Sequence, residues 1–95
     1  MSIQVNEYFE GKVKSMGVDN AAGKQTVGVM AAGDYEFGTA SAEEMILVTG
    51  KWLLQIPGIP GGFKEYGLSE VAKIPGNSKY QLKILETSAY LCRYE

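Results

Sequence analysis

The sequence contains no histidine. This absence excludes a Ser-His-Asp triad and any metal site built on imidazole ligands. It also removes the side chain that most often acts as a general acid or base near neutral pH. Any chemistry must therefore use carboxylates, lysine, arginine, tyrosine, hydroxyl groups and the backbone.

Cysteine and basic residues are also scarce. The single cysteine, Cys92, rules out an intrachain disulfide. Since no histidine is present to activate its thiol, we expect Cys92 to be a small buried hydrophobe rather than a nucleophile. Nine Lys and Arg are scattered against eleven Asp and Glu, which gives a net charge of −2. Nonspecific nucleic-acid binding needs a basic surface, so nucleic acid is not an expected partner.

No long apolar run is present either. The first residues lack the basic start and the apolar core of a signal peptide, and no stretch approaches the length of a membrane span. We therefore predict a cytoplasmic protein without a membrane partner. The 95 residues form one domain, residues 1–95, with a modest core. A deep pocket must lie inside that domain or between two copies, which favours a homodimer.

Short alternating runs, separated by turn-forming residues, fill the chain instead. Twelve glycines and three prolines mark the turns, and no window of helical length carries a 3.6-residue apolar stripe. The pattern predicts an all-β, antiparallel sandwich or barrel. We expect a loop at 17–23, a hairpin turn at Gly50-Lys51, and strands at 8–15, 24–30, 34–40, 43–49, 52–56, 63–66, 70–74, 79–85 and 90–94.

Two segments resemble the paired motifs of cupins. Gly33 opens the first motif, and Glu43 is followed by six residues and a closing Gly50. Thr39 and Ser41 stand where cupins carry histidines. In the second segment Pro75-Gly76 supplies the turn, and Tyr80 stands near the position of a further histidine. The resemblance implies a small cupin-like antiparallel β-barrel, or jelly roll, that has lost its metal ligands.

A wider resemblance extends along the whole chain. It is carried, in order, by Asn6-Glu7-Tyr8-Phe9, Val27-Gly28-Val29-Met30, Glu43-Glu44-Met45, Ile74-Pro75-Gly76 and Tyr90-Leu91-Cys92-Arg93-Tyr94. Together these segments resemble the small cupin family described as pyrimidine/purine nucleoside phosphorylase. The resemblance implies phosphorolysis of many nucleosides to free base and ribose 1-phosphate by a homodimer. The residues between Trp52 and Lys73 match least well.

Cleavage of an N-glycosidic bond passes through an oxocarbenium-like state, which a neighbouring carboxylate stabilises. Glu43 is the predicted catalytic carboxylate, because the cupin register points it into the barrel with Met45 and Leu47. Arg93 is the only arginine and is predicted to hold phosphate, since a guanidinium grips two phosphate oxygens at once. Inorganic phosphate is then a co-substrate, and no metal or organic cofactor is expected.

Tolerance of many bases favours stacking over recognition of base edges, because every base has a π-face. Tyr35, Phe37 and Tyr80 are the predicted stacking residues. Thr39, Ser41 and Ser78 are predicted to donate hydrogen bonds to phosphate or ribose. The proton donor to the leaving base stays open among a tyrosine, a water molecule and a protonated Glu43. Two other readings remain: a binding module for a nucleoside or sugar, and a barrel filled by its own side chains.

Overall fold

The computed structural model describes residues 2–95, and this part of the chain forms strands and turns without any helix that could span a membrane. The all-β, antiparallel prediction is confirmed. Every strand pairing is antiparallel, apart from one isolated parallel bridge between Leu47 and Leu68. The strands are β1 Val5–Tyr8, β2 Val13–Asn20, β3 Gly23–Met30, β4 Gly33–Thr39, β5 Glu43–Gln55, β6 Lys64–Glu65, β7 Val71–Ile74 and β8 Ser78–Tyr94.

Two long strands, β5 and β8, pair with each other along most of their length and form the centre of the fold. The first half of β8 also pairs with β4, and its second half pairs with β3. The order β1-β2-β3-β8-β5 then places β1 and β2 outside β3, while β7 and β6 pair with the two halves of β5. The ribbon of β5 and β8 thus belongs to both walls of the domain.

The predicted hairpin turn at Gly50-Lys51 is wrong, because β5 continues through these residues as a bulged corner. Gly50 has φ +111°, and a Cβ there would overlap Ser88 on the neighbouring strand. The hydroxyl of Ser88 accepts a hydrogen bond from the Lys51 amide at 3.1 Å and donates to the Glu86 carbonyl at 2.7 Å. A glycine and a serine therefore bend two paired strands together, without ending either one.

The N-terminal strand prediction is also wrong. Residues 8–15 span a turn, because Phe9, Glu10 and Gly11 all have positive φ values of 52°, 57° and 85°. The Gly11 amide donates to the Tyr8 carbonyl at 3.2 Å and closes this turn. The predicted loop at 17–23 is instead the end of β2 and a tight hairpin, in which Asn20 pairs with Gly23.

The core lies between the two walls and is fullest beyond the bulged corner. Trp52, Leu54, Leu82 and Ile84 are each no more than 3% exposed. Burial of a large apolar side chain contributes about 1.5–3 kcal/mol relative to leaving it exposed. This filled region anchors the domain and leaves the other half of the ribbon to line an open space.

Candidate active site

A cavity of about 420 Å³ opens between the first half of β5, the second half of β8 and the end of β4. Its volume lies within the range of small-molecule sites. The lining combines aromatic rings and hydroxyls with one carboxylate and one thiol. It consists of Tyr8, Ser15, Thr26, Met30, Phe37, Gly38, Thr39, Ala40, Glu43, Met45, Tyr80, Tyr90, Cys92 and Tyr94.

Glu43 lies inside this cavity, as the sequence predicted. It is the first residue of β5 and pairs with Ile74 on one side and Tyr94 on the other. Its side chain shares the inner face with Met45 and Leu47, and only 9% of the residue is exposed. The Tyr80 hydroxyl donates a hydrogen bond to Glu43 Oε1 at 3.2 Å.

Burial raises the pKa of Glu43 above its ordinary value of 4.5, because the charged form loses its hydration. Hydrogen bonds with Tyr80 and Cys92 oppose this rise. A carboxyl group with a raised pKa can carry a proton closer to neutral pH and release it when charge develops nearby. Glu43 is therefore the group in the cavity best suited to acid–base chemistry.

The groups around Glu43 stay protonated and neutral at ordinary pH. Burial, followed by the charge of Glu43, raises the pKa of Cys92 to about 12. Burial raises the pKa of Tyr94 to about 12, while a hydrogen bond with Thr26 opposes the rise. The pKa values of Tyr80 and Tyr90 are also raised, mainly by burial. The cavity therefore offers several neutral hydroxyl donors around a single carboxyl group.

Aromatic rings form one side of the cavity. Phe37 and Tyr80 are cross-strand partners on β4 and β8, and their ring centroids lie 6.3 Å apart with 30° between the planes. Tyr8 meets Phe37 edge to face at 5.7 Å. These rings give one side of the cavity an aromatic lining, against which a planar ligand can pack.

Thr39 lines the cavity, but its hydroxyl is already engaged. It donates to the Pro75 carbonyl at 2.6 Å and accepts from the Ser78 amide at 3.1 Å. These bonds join the end of β4 to the turn that precedes β8. Gly76 packs in the same turn, where a Cβ would lie 3.0 Å from the Ala42 amide nitrogen. Thr39 therefore fixes the rim of the cavity, because its hydroxyl group connects the end of β4 to the backbone of the turn before β8.

The structure does not bring Arg93 together with Glu43 within a single chain. Arg93 pairs across the sheet with Glu44, and its Nη1 lies 4.0 Å from Glu44 Oε1. Glu43 and Glu44 are adjacent in a strand, so their side chains point to opposite faces. Arg93 is accordingly on the outer face, where 53% of its side chain is exposed.

Three predicted substrate-binding residues also lie outside the cavity lining. The Tyr35 hydroxyl donates to the Ala31 carbonyl at 2.7 Å, and the ring is part of the core. Ser41 is exposed on the connection between β4 and β5. The Ser78 hydroxyl donates to the Gly76 carbonyl at 2.9 Å within its own turn. The structure thus brings together Phe37, Thr39, Glu43 and Tyr80, without these three residues.

The sequence interpretation missed Tyr90, Cys92 and Tyr94 as lining residues. All three alternate with Leu91 and Arg93 on β8, so they share one face. Because β8 is continuous from Ser78 to Tyr94, the same alternation runs unbroken from Tyr80 through Leu82 and Ile84. Treating residues 79–94 as one strand would have placed these residues inside and Arg93 outside.

A metal site receives no support from the arrangement of side chains. Within residues 2–95 no group of three or more Cys, Asp and Glu side chains is close enough to hold an ion. Glu43 and Cys92 meet in the cavity, but burial keeps the thiol protonated, whereas a metal ligand must be a thiolate. The residues present therefore do not fit the metal centre of a typical cupin.

Comparison with known proteins matches this chain to one family over nearly its full length. The profile of the family "Pyrimidine/purine nucleoside phosphorylase" matches residues 3–94. A protein of that name from Tolumonas auensis is 47% identical over 93 residues, which covers 98% of this chain and 99% of the relative. A protein of the same name from a strain of Pseudomonas aeruginosa is 48% identical over 91 residues, covering 96% of this chain and 97% of the relative.

Solved structures support the same fold. A protein of unknown function from Vibrio parahaemolyticus is 37% identical, covers both chains completely and has a TM-score of 0.92. A cupin-2 domain from Rhodospirillum rubrum is only 14% identical but has a TM-score of 0.72 over 98% of this chain and 72% of that chain. The second likeness concerns the fold alone, and it confirms the prediction of a cupin-like β architecture.

Proposed function

The chain belongs to the pyrimidine/purine nucleoside phosphorylase family, and from this premise we propose that it cleaves nucleosides with inorganic phosphate. The products are free base and ribose 1-phosphate, and both pyrimidine and purine nucleosides are accepted. The observation that carries the proposal is the buried Glu43 in a cavity of ligand size, hydrogen-bonded to Tyr80 at 3.2 Å. Burial raises the pKa of this carboxyl group, as acid catalysis requires.

The reaction uses Glu43 in its protonated form. A phosphate oxygen forms a bond to C1′ of the ribose while the bond from C1′ to the base nitrogen breaks. The bonding electron pair leaves with the base, which takes the proton of Glu43. The resulting carboxylate stabilises positive charge on the sugar as the two bonds exchange, and it later regains a proton from solvent.

The aromatic side of the cavity supports the proposal of broad base specificity. Phe37 and Tyr80 line the cavity, and packing against aromatic rings favours any planar base. Among the described residues that line the cavity, Glu43 carries the only carboxyl group, and the remaining polar groups are hydroxyls, a thiol and the backbone. A site that holds the base by stacking and the sugar by polar contacts discriminates little between purines and pyrimidines.

We further propose that catalysis needs neither a metal nor an organic cofactor. The sequence has no histidine, and a single cavity carboxyl group whose burial favours its protonated form is a poor ligand for a divalent ion. Treatment of the protein with EDTA should leave the rate of base release unchanged. A rate that falls with EDTA and returns with one added divalent metal would contradict this part of the proposal.

The outer face of the sheet favours a homodimer. A row of apolar side chains crosses six strands in direct register, on the order of 24 Å from end to end at about 4.8 Å per strand. Several of its members are well exposed, with Val5 at 58%, Met16 at 45% and Val27 at 39%. A contiguous apolar patch of this extent is typical of a protein interface. The row, which we call the outer apolar row, is Val5, Met16, Val27, Leu91, Ile46 and Val71.

A second copy of the chain is the proposed partner on the outer apolar row. The row is flanked by Arg93 and Glu44, which pair with each other at 4.0 Å. Both signs of charge therefore border the row, as a surface that pairs with a copy of itself requires. We propose that this dimer works in the cytoplasm, as the sequence predicts.

The activity is tested with the purified protein and two nucleosides, uridine and inosine, each with and without phosphate. Release of free uracil and hypoxanthine only when phosphate is present supports the proposal. The variant Glu43→Gln should lose at least about a hundredfold in turnover while its circular dichroism spectrum stays unchanged. Its control is Glu36→Gln, which removes the same charge from the outer face of β4 and should retain the parent rate.

Binding of nucleoside without release of base would instead indicate the binding module that the sequence left open. Unchanged turnover in Glu43→Gln would remove Glu43 from the chemistry. Release of base in the absence of phosphate would indicate hydrolysis rather than phosphorolysis.

A further inference from the structure

The cavity that holds Glu43 has no cationic side chain in its lining. Among the described residues that form it, the ionisable groups are one carboxyl, one thiol and several phenols. Phosphate carries negative charge at neutral pH and is bound best by charge-assisted hydrogen bonds from cationic donors. Since Arg93 lies on the outer face, the cation for phosphate must come from a different position.

A second depression, of about 900 Å³, lies directly beside the cavity. We call it the hairpin groove, because it follows the end of the β2–β3 hairpin and the N-terminal segment. Its lining includes Gln4, Asn6, Lys24 and Gln25, together with Thr26 and Tyr94. Thr26 and Tyr94 also line the cavity. Their hydroxyl groups are hydrogen-bonded at 3.1 Å, so this pair lies at the boundary between the two spaces.

The strand register places Lys24 in line with Glu43. Gln25 pairs with Arg93, so Lys24 lies beside Tyr94, one position beyond the last paired residue. Tyr94 in turn pairs with Glu43. The three residues therefore form one row across β3, β8 and β5, and their outer members are roughly 10 Å apart at the Cα atoms.

This row brackets a space suited to a sugar and a phosphate. Glu43 lies on the cavity side of this space, and Lys24 lies on the groove side. Thr26 is on the same strand face as Lys24, two residues further along, and the two Cα atoms are roughly 7 Å apart. Asp19 is the β2 partner of Lys24, yet within residues 2–95 the ion pairs are Lys14 with Glu7 and Arg93 with Glu44. The ammonium group of Lys24 is therefore free to bind an anion.

We propose that inorganic phosphate binds in the hairpin groove, held by Lys24 and by the hydroxyls of Thr26 and Tyr94, and meets the ribose at the boundary with the cavity. This inference rests on the proposed phosphorolysis and extends it, because it names the groups that hold the second substrate. The separation keeps the bound anion away from the carboxylate that Glu43 becomes once its proton has gone to the base, where like charges would repel. It also requires the Thr26–Tyr94 pair to open or turn when phosphate reacts.

The kinetic test varies phosphate at saturating inosine in the parent and in Lys24→Gln. We expect the KM for phosphate to rise at least about tenfold, while the KM for inosine changes less than about twofold. Thr26→Val should raise the KM for phosphate less than Lys24→Gln does, since a neutral donor is weaker than a charged one. Asp19→Asn should lower it, because a negative charge beside Lys24 is removed.

The matched control is Lys14→Gln, which removes a lysine of the same hairpin from the outer face, where it pairs with Glu7 at 3.4 Å. Its KM for phosphate should equal that of the parent. An unchanged KM for phosphate in Lys24→Gln would overturn the inference. A rise in Arg93→Gln that is absent in Lys24→Gln would also overturn it and return phosphate binding to Arg93.

A binding measurement separates this inference from the proposed activity. Phosphate titrated into the enzyme should broaden the ³¹P resonance of inorganic phosphate, and the effect should weaken in Lys24→Gln but not in Lys14→Gln. If the parent released no base at all, the proposed function would fail, while the broadening would still report on the groove. Equal broadening in the parent and Lys24→Gln would reject the groove as the phosphate site.

Discussion

The two halves of the β5–β8 ribbon differ in how their two faces are used. Beyond the bulged corner the inner face is filled by Trp52 and Leu54, while the outer face carries exposed residues such as Lys83. Before the corner the inner face lines a cavity around Glu43, while the outer face carries part of the outer apolar row. The same two strands thus enclose a filled core in one half, and in the other they line a cavity on one face and expose apolar side chains on the other.

The difference shows how a short chain makes room for a ligand. A small domain buries little surface, so a hollow in its interior removes contacts that it needs for stability. Here the filled half compensates within the chain, and the outer apolar row provides surface that a second copy can cover. One part of each strand therefore contributes mainly to stability, and the other part lines the candidate active site. The corner at Gly50 separates the two parts.

The largest effect is expected for the filled half. Trp52 is fully buried and contacts Tyr90, with 6.2 Å between ring centroids. Trp52→Ala should reduce the free energy of unfolding by about 3–5 kcal/mol, because a large cavity replaces its ring. Urea denaturation followed by circular dichroism measures the loss.

The matched variant in the hollow half is Met45→Ala, which enlarges a space that already exists. Met45 is 1% exposed and lines the cavity. Its loss should fall at the lower end of the range for such truncations, about 2 kcal/mol. Equal losses in the two variants would show that the halves do not differ in packing.

An effect between those of Trp52→Ala and Met45→Ala is expected at the corner that separates the halves. Gly50→Ala places a methyl group against Ser88 at a φ of +111°, so backbone strain and overlap should destabilise the fold by about 2–4 kcal/mol. The double variant with Ser88→Gly should recover part of this loss, since the methyl group then has space. Thermal unfolding of the two single variants and the double variant measures the coupling. Additive losses would mean that the two residues do not form the corner together.

The outer face before the corner is proposed to form the dimer interface, and the outer face beyond the corner is not. Measurements of oligomeric state test this difference. Val27→Asp places a charge in the middle of the outer apolar row, and a buried unpaired charge should weaken a dimer at least about a hundredfold in Kd. Gln55→Asp adds the same charge to the outer face beyond the corner and should leave the dimer intact. Sedimentation velocity over a concentration series measures both. A parent protein that is monomeric throughout the series would contradict the proposed dimer.

Much of this arrangement could be predicted from local alternation in the sequence. The inward direction of Glu43 follows from its sharing a face with Met45 and Leu47, and the all-β class follows from short runs and frequent turns. The outward direction of Arg93 was missed because residues 86–89 interrupt the apolar pattern, so the strand that fixes this direction was divided in two. Ser88 is part of this interruption, because it is a polar residue at a buried position, only 1% exposed. Its hydroxyl group accepts a hydrogen bond from the Lys51 amide at the corner beside Gly50.

The hairpin groove could not be predicted from alternation alone. Lys24 and Thr26 are separated from Glu43 by about twenty residues, and only the order β3-β8-β5 brings them into one row. That order depends on contacts between distant parts of the chain, which no local pattern specifies. The turn at Phe9 and Glu10 is a further case. Both residues have positive φ values (52° and 57°), which are uncommon for residues other than glycine.

The smallest predicted effect concerns the pH dependence of stability in the hollow half. Because burial raises the pKa of Glu43 in the folded protein above its ordinary value of 4.5, the folded state binds more protons than the unfolded chain between these two values. Stability is therefore highest below the ordinary value and falls as the pH rises through the raised one. Glu43→Gln cannot titrate, so its stability should fall less over this window and should exceed that of the parent at higher pH.

Urea midpoints of the parent and Glu43→Gln, measured between about pH 4 and pH 8, test this expectation around the ordinary titration range of a carboxyl group. Glu36→Gln, which loses the same charge on the outer face, shows how much of the difference comes from net charge alone. If Glu43→Gln followed the parent at every pH, the buried carboxyl group would not hold its proton more firmly in the folded state. The enzyme would then need another source for the proton that the leaving base takes, and the Tyr80 hydroxyl, which donates to Glu43 at 3.2 Å, is one group in the cavity that carries a proton.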